Sequence, residues 1–177
     1  MTKQRCGWCV DDPLYEAYHD QEWGVPVYDD QTIFEFLILE TFQAGLSWIT
    51  ILRKRENFRE ALDDFDYKKI ACYSEAKLEA LLQNPGIIRN KLKVKATVSN
   101  AQAFIEIQEE FGSFSKYIWS FVNHKPVQNS VKIYKEAPAT TAISDALSKD
   151  LKKRGFKFTG STVVYAHMQA TGMFFFF

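Results

Sequence analysis

The segment at residues 81–96, LLQNPGIIRNKLKVKA, constrains the fold of this chain more than any other. Leucines at helical spacing end at Asn84-Pro85-Gly86, and a second run with helical spacing begins after Asn90. Proline presets the backbone for a turn, and glycine adopts conformations closed to other residues, so a tight turn is expected between the runs. The pattern predicts a helix–hairpin–helix over about residues 74–110.

The remaining sequence is also typical of helices. Asp12 followed by Pro13 gives a capped helix start, and Ser74 gives another. Apolar residues at helical spacing predict further helices over about residues 30–40, 47–62, 90–110, 114–122, 144–154 and 161–171. Residues 66–71 suggest a short turn and residues 129–131 an extended stretch, but convincing alternating strands are absent. The chain is therefore predicted to be a single all-α domain over residues 1–177.

Targeting signals and charge narrow the possible functions. No apolar run approaches the roughly 20 residues that span a bilayer, and the first five residues do not lead into a signal-peptide core, so we expect a cytoplasmic protein. The formal net charge is zero, but lysines and arginines cluster at residues 86–97 and 147–158. A neutral protein with such patches can still bind a polyanion through one face.

The predicted hairpin is suited to hold a phosphate. The N-terminus of the following helix directs free backbone N–H groups and the positive end of the helix dipole outward. Arg89 and Lys91 would supply counter-charge, which makes such binding sensitive to salt. The alternative is an ordinary corner between two helices with a solvated basic face.

A second stretch, residues 39–58, combines features that are unusual for a core. Glu40 follows an apolar helical segment, a glycine break stands at Ala44-Gly45, and Trp48 opens the next helix ahead of the cations Arg53-Lys54-Arg55. Together these residues could line a pocket beside an anion. Alternatively, Glu40 is a buried acid that pairs with an arginine.

Four aromatic residues, Tyr15, Tyr18, Trp23 and Trp48, are the candidates to surround that carboxylate. Aromatic rings can sandwich a flat base while a carboxylate reads its edge. Both the π faces and the carboxylate favour a base that carries positive charge. The alternative is that these rings are ordinary core residues.

The three cysteines do not suggest a disulfide framework in a cytoplasmic chain. Cys6 and Cys9 form a C-G-W-C tetrapeptide, but the βαβ context of a thioredoxin-like site is missing. Metal ligation stays open for these residues.

A series of short motifs follows in one order along the chain: Cys6-Gly7-Trp8, Asp12-Pro13-Leu14-Tyr15, Tyr18-His19-Asp20, Glu22-Trp23-Gly24, Gln43-Ala44-Gly45-Leu46-Ser47-Trp48, Arg55-Glu56-Asn57, Gly86-Ile87-Ile88-Arg89, Trp119-Ser120-Phe121-Val122-Asn123 and Lys153-Arg154-Gly155-Phe156-Lys157-Phe158. In this order they resemble the bacterial Tag family of 3-methyladenine DNA glycosylases over about residues 5–173. That family belongs to the helix–hairpin–helix glycosylases, so the resemblance implies two helical lobes around a base pocket.

The resemblance also assigns roles to the residues of the pocket. Glu40 would be the catalytic carboxylate that reads the methylated base. Tyr18 and Trp48 would stack on the base, and Trp23 would form the pocket wall with Tyr15 nearby. Outside the pocket, Gly45 and Leu46 would fill the gap in the duplex, and residues 86–91, with Gly86, Arg89 and Lys91, would grip the phosphate.

The implied activity is removal of 3-methyladenine from alkylated double-stranded DNA. Alkylation at N3 gives adenine a positive charge and makes it a good leaving group. The enzyme would act as a monomer, flip out the nucleotide, hydrolyse the glycosidic bond and leave an abasic site. No lysine has to act as a nucleophile, so no strand cleavage is expected. The alternative is a helix–hairpin–helix module that binds damaged DNA without turnover.

The position at which relatives often carry a catalytic aspartate holds no carboxylate in this chain. Relatives often carry an aspartate about twenty residues after the hairpin lysine, and this position is Phe111 here. Glu106, Glu109 and Glu110 lie nearby on what is predicted to be a solvated helix face. We therefore hypothesise that no strong carboxylate base acts on water.

The chain departs from the family pattern at the structural zinc site. The family ties its termini together with zinc held by a cysteine and a histidine from each end. Cys6 and His19 match the first pair, whereas Phe177 stands where the third ligand is expected and the fourth is absent. Cys9 or His167 could in principle complete a site, and zinc is predicted with this half-site only. Ala166 also replaces a serine that the family often places near the base.

Overall fold

The computed structural model describes residues 5–129, 131 and 134–176, and most of them are helical. The helices are α1 (Pro13–Gln21), α2 (Asp30–Gln43), α3 (Trp48–Ala61), α4 (Tyr67–Ile70), α5 (Glu75–Gln83), α6 (Lys91–Phe111), α7 (Phe114–Ser120), α8 (Ala142–Lys153) and α9 (Ser161–Ala170). Short 3-10 turns stand at Asp63–Phe65 and Tyr134–Glu136, and strands β1 (Val127–Gln128) and β2 (Phe174–Phe175) pair in parallel. The predicted all-α class is confirmed. No helix among the described residues is long and apolar enough to cross a membrane.

Two local predictions need correction. The residues predicted as a turn at 66–71 include the short helix α4, because the Asp66 carboxylate accepts the N–H groups of Lys68 and Lys69 and caps it. The extended stretch predicted at residues 129–131 begins earlier, as strand β1 at Val127–Gln128, which pairs with the C-terminal segment. Asn129 extends that pairing through its N–H to Phe175 O, and residue 130 lies outside the described residues.

Two aspartates at the start of α2 perform different tasks. Asp29 is the N-cap and accepts the backbone N–H of Thr32 at 2.8 Å. Asp30 instead accepts the N–H groups of Phe114 and Ser115 at the start of α7, at 2.9 and 2.8 Å. A carboxylate at a helix N-terminus is favourable because it satisfies unpaired donors and faces the positive end of the dipole. Asp30 therefore fixes α7 against α2.

Helix α2 is the central element of the core. Every residue from position 36 to position 42 is buried, including Glu40. Helices α3, α6, α7 and α9 contact it. A helix that is apolar on all sides is typical of a buried position. The fold therefore carries the carboxylate of Glu40 into the protein interior.

Helices α5 and α6 are joined by residues 84–90, as the segment predicts. The turn rests on α3: a Cβ atom at Gly86 would lie 3.1 Å from Asn57 Cβ and 3.0 Å from Asn84 Oδ1. The N–H of Gly86 also donates to Asn84 Oδ1 at 2.8 Å. The close approach of the turn to α3 favours glycine here, because a Cβ atom would press against the side chains of Asn57 and Asn84.

Candidate active site

A cavity of about 220 Å³ opens between α1, the end of α2, the start of α3 and α9. All five residues predicted to form a base pocket line this cavity, namely Tyr15, Tyr18, Trp23, Glu40 and Trp48. Five further residues complete the lining: Trp8, Gln43, Tyr134, Ala166 and Gln169. Among these, Trp8, Gln43, Tyr134 and Gln169 were not predicted as site residues. Trp8 and Gln43 stand within motifs of the family resemblance, whereas no pattern in the sequence indicates Tyr134 or Gln169.

The N-terminal helix presents its aromatic residues to the cavity because of its register. The Asp12 carboxylate accepts the N–H groups of Leu14 and Tyr15 at 3.0 and 3.1 Å and so begins α1 at Pro13. Residues three apart lie on one face of a helix, which brings Tyr15 and Tyr18 to the same side. Trp48 meets them as the first residue of α3.

The aromatic rings form a continuous wall rather than isolated core contacts. Tyr18 and Trp48 have ring centroids 5.5 Å apart at an interplanar angle of 42°. Trp8 contacts Tyr15 at 4.7 Å and Trp23 at 5.4 Å. Tilted and edge-on arrangements are favoured by ring quadrupoles and leave π faces available to a flat ligand.

Glu40 has the electrostatic properties of a ligand-binding acid. Its side chain is only 4% exposed, and Oε2 has no hydrogen-bond partner among the described residues. No arginine or lysine in the described part of the chain forms an ion pair with it, so the alternative of a buried pair with an arginine is wrong. Burial raises the pKa of Glu40 to about 8, because a carboxylate loses its hydration without gaining a partner.

An unpaired donor lies in the same cavity. The buried Trp48 Nε1 has no acceptor within the described ranges. Buried polar groups in folded proteins are nearly always paired, so an unpaired donor and an unpaired acceptor in one pocket indicate a missing polar partner. A base with both donor and acceptor edges has the required chemistry.

The loop between α2 and α3 lies at the surface beside this pocket. Ala44, Gly45, Leu46 and Ser47 are exposed, with the Leu46 side chain 40% exposed. Gly45 adopts a φ of 81°, which favours glycine, and it allows the chain to leave α2 abruptly. The loop therefore presents an apolar side chain to solvent close to the end of the helix that carries Glu40.

The hairpin places its predicted anion-binding groups at the surface. Arg89 and Lys91 are exposed, and the backbone N–H groups of residues 88–91 make no hydrogen bond within the part of the chain that the structure describes. Asn90 caps α6 by accepting the N–H groups of Leu92 and Lys93, each at 3.1 Å. Free donors before a helix N-terminus, with two cations beside them, favour an anion.

The predicted zinc ligands are neighbours but do not form a complete site. His19 Nε2 accepts the N–H of Cys6 at 3.3 Å, and His19 Nδ1 lies 3.1 Å from Asp20 Oδ1. Burial and the neighbouring Cys9 raise the pKa of Cys6 to about 11. No group of three potential ligands exists among the described residues. His167 Nε2 forms a hydrogen bond with Ile33 O at 3.2 Å, and Phe177 lies outside the described residues.

The three glutamates near Phe111, the position at which relatives often carry an aspartate, are exposed, as predicted. Glu106, Glu109 and Glu110 all lie on the solvated face of α6, and Glu110 pairs with Arg154 at 2.6 Å. None of them lines the cavity that contains Glu40. Ala166 does line it, so a hydroxyl is absent from the wall where the family often has serine.

The fold and this pocket define a helical enzyme that binds a single nucleobase, and comparison with known proteins agrees. The family model of methyladenine glycosylases matches residues 8–175. The chain therefore belongs to the methyladenine glycosylase family.

Individual relatives cover almost the whole molecule. The chain is 50% identical over 170 residues to DNA-3-methyladenine glycosylase 1 of Escherichia coli strain K12, covering 96% of this chain and 91% of the relative. A crystal structure of 3-methyladenine DNA glycosylase I matches with a TM-score of 0.94 at 50% identity, covering 97% and 94% of the two chains. A variant of such an enzyme in complex with 3-methyladenine matches with a TM-score of 0.94 at 38% identity, covering 97% and 92%.

Proposed function

We propose that the protein is a monofunctional DNA-3-methyladenine glycosylase, which acts as a monomer on alkylated double-stranded DNA and leaves an abasic site. The observation that carries this proposal is Glu40, a buried and unpaired carboxyl group in a cavity of aromatic side chains. Such a group is unfavourable for stability alone, and a cationic base supplies the missing partner.

The charge of the lesion accounts for selectivity. In the empty pocket at neutral pH, the pKa of about 8 keeps most Glu40 side chains protonated. An incoming 3-methyladenine cation favours the carboxylate through direct Coulombic attraction in a poorly solvated site. Unmodified adenine is neutral and offers no such compensation, so its extrusion from the duplex is less favourable.

The aromatic wall and the carboxylate hold the flipped base during bond cleavage. The bond between C1′ of the sugar and N9 of the base breaks, and its electrons neutralise the cationic base. The sugar then takes the oxygen of water at C1′, and the water proton passes to solvent. Because the leaving group already carries positive charge, this reaction does not require a strong general base.

The duplex is held outside the pocket by two surface elements. The free N–H groups of residues 88–91, with Arg89 and Lys91, bind a backbone phosphate. Leu46 enters the gap that the flipped nucleotide leaves. An apolar side chain placed between base steps is a recurring way to stabilise a distorted duplex.

The test is to incubate the purified protein with methylated duplex DNA and to identify released bases by mass, with and without added zinc. The protein is expected to release 3-methyladenine, and Glu40→Gln and Trp48→Ala are expected to lose this activity. Glu60→Gln, an exposed substitution of the same chemistry, is the matched control and should remain active. A folded protein that binds this DNA and releases no base would instead be the non-catalytic binder of damaged DNA.

A further inference from the structure

Lys93 is a buried cation that none of the roles above explains. It is the third residue of α6, directly after the hairpin, and is only 6% exposed. Its neighbours Lys91 and Lys95 are exposed on the same helix. Lysine is rarely buried unless it is paired, so this position calls for a specific partner.

The partners of Lys93 are backbone carbonyls at the end of α2. Nζ donates to Phe42 O at 2.9 Å and to Ala44 O at 2.7 Å. The last carbonyls of a helix lack intrahelical donors and carry the negative end of the dipole, so an ammonium group is favourable there. Ala44 is the C-cap residue of α2, and Gly45 with its φ of 81° follows directly.

This contact joins the functional elements that act on DNA. On one side, Lys93 lies two residues after Lys91, the last residue of the phosphate-binding hairpin. On the other side, its acceptors lie between Glu40 and Leu46 along the chain, at the point where α2 ends and the exposed loop begins. The ammonium group therefore holds the start of the loop in a fixed place relative to the hairpin.

Burial lowers the pKa of Lys93, since its charged form loses hydration. No carboxylate in the described part of the chain forms an ion pair with it. A buried charge is weak evidence for stability, whereas the two hydrogen bonds of Lys93 fix its ammonium group between the carbonyls of Phe42 and Ala44. The burial of Lys93 is therefore better explained by the geometry that it fixes than by a gain in the stability of the fold.

We propose that Lys93 is a positioning residue, which sets the Ala44-Gly45-Leu46 loop so that Leu46 enters the duplex while the hairpin holds the phosphate, a role that rests on the glycosylase activity proposed above. Lys93 touches neither the base nor the phosphate in this scheme. Its loss affects the step in which the nucleotide leaves the duplex and spares the pocket that receives the base.

The decisive experiment compares Lys93→Met with Lys95→Met and the unmodified protein. Methionine retains most of the length of lysine without its charge, and Lys95→Met removes the same charge from an exposed position of α6. Three quantities are measured: affinity for free 3-methyladenine by tryptophan fluorescence, single-turnover release of 3-methyladenine from methylated duplex DNA, and the same release from methylated single-stranded DNA.

For Lys93→Met, release from duplex DNA is expected to fall by about tenfold to a hundredfold, the range that follows from a small misplacement of a group that orients the substrate. Free-base affinity and single-strand release should stay within about twofold, because neither requires a filled gap. Lys95→Met should keep the free-base affinity of the unmodified protein and lose far less duplex activity than Lys93→Met.

Two results overturn the proposal. Equal duplex activity in Lys93→Met and Lys95→Met shows that the contact does not position the loop, and a parallel fall in all three quantities shows only a general structural role. If Lys93→Met does not fold, Lys93→Gln, which is too short to reach both carbonyls, undergoes the same comparison with the same criteria. An unmodified protein that releases no base would refute the proposed glycosylase activity itself, and the role of Lys93 with it.

Discussion

Replacing Glu40 with glutamine should remove activity. It should also make the protein more stable than the native protein by an amount that grows as the pH rises. The pKa of Glu40 lies at about 8 in the folded protein against 4.5 for an ordinary glutamate. Between these values the folded state keeps a proton that the unfolded state has lost, so the free energy of unfolding falls as pH rises through this window. Each pH unit changes it by about 1.4 kcal/mol. From pH 5 to pH 7 the native protein should therefore lose about 3 kcal/mol relative to Glu40→Gln, which does not ionise.

The measurement is urea unfolding of both proteins at pH 5, 6 and 7, followed by tryptophan fluorescence. All other titrating groups are shared, so the difference in unfolding free energy between the two proteins isolates residue 40. Glu106→Gln serves as the control, because it makes the same substitution at an exposed position. A difference between native protein and Glu40→Gln that stays constant within about 0.5 kcal/mol over this range would refute the assignment of an unpaired buried acid.

Three further predictions concern the reaction and the metal. The logarithm of kcat/KM for release of 3-methyladenine should rise with pH with a slope near one and level off at the Glu40 pKa of about 8, because only the carboxylate attracts the cationic base. A flat profile between pH 6 and 9 would contradict this. Replacing Glu106, Glu109 or Glu110 singly with glutamine should leave single-turnover release within about twofold of the unmodified protein. An inactive single variant would identify a base that acts on water. Atomic absorption of the purified protein should find well below one zinc per chain, because the described residues contain no group of three potential ligands and two ligands hold zinc weakly. One tightly held zinc per chain would show that further ligands complete the site.

Most of the helical framework follows from local signals in the sequence. Asp12, Asp29, Ser74 and Asn90 each accept backbone N–H groups at a helix start, as capping residues should. The pairing of β1 with β2 was not predictable because the two strands are short and far apart in sequence. Two-residue strands show no alternation, and their positions depend on how the C-terminal segment packs.

The pocket was predictable in its aromatic residues and its acid, and less so in its outer wall. Glu40 was marked by a charge within an apolar helix, a local contrast that a sequence displays directly. Tyr134 and Gln169 meet only in the folded chain, where the tyrosine hydroxyl donates to Gln169 Oε1 at 3.2 Å. Phe176 packs against both Trp23 and Tyr134, with ring centroids 5.8 and 5.5 Å apart, so the C-terminal segment supports the cavity wall.

Lys93 shows why residues that organise a site are harder to find than residues that form it. In sequence it is one of several lysines in a basic patch, and its spacing from Lys91 and Lys95 gives no sign of burial. Its partners are backbone carbonyl groups, which every residue possesses, so no sequence motif on α2 predicts the contact. Only the packing of α6 against the end of α2 distinguishes this ammonium group from its neighbours. The coupling of hairpin and loop is therefore a property of the tertiary structure, and a substitution that keeps every family motif intact can still break it.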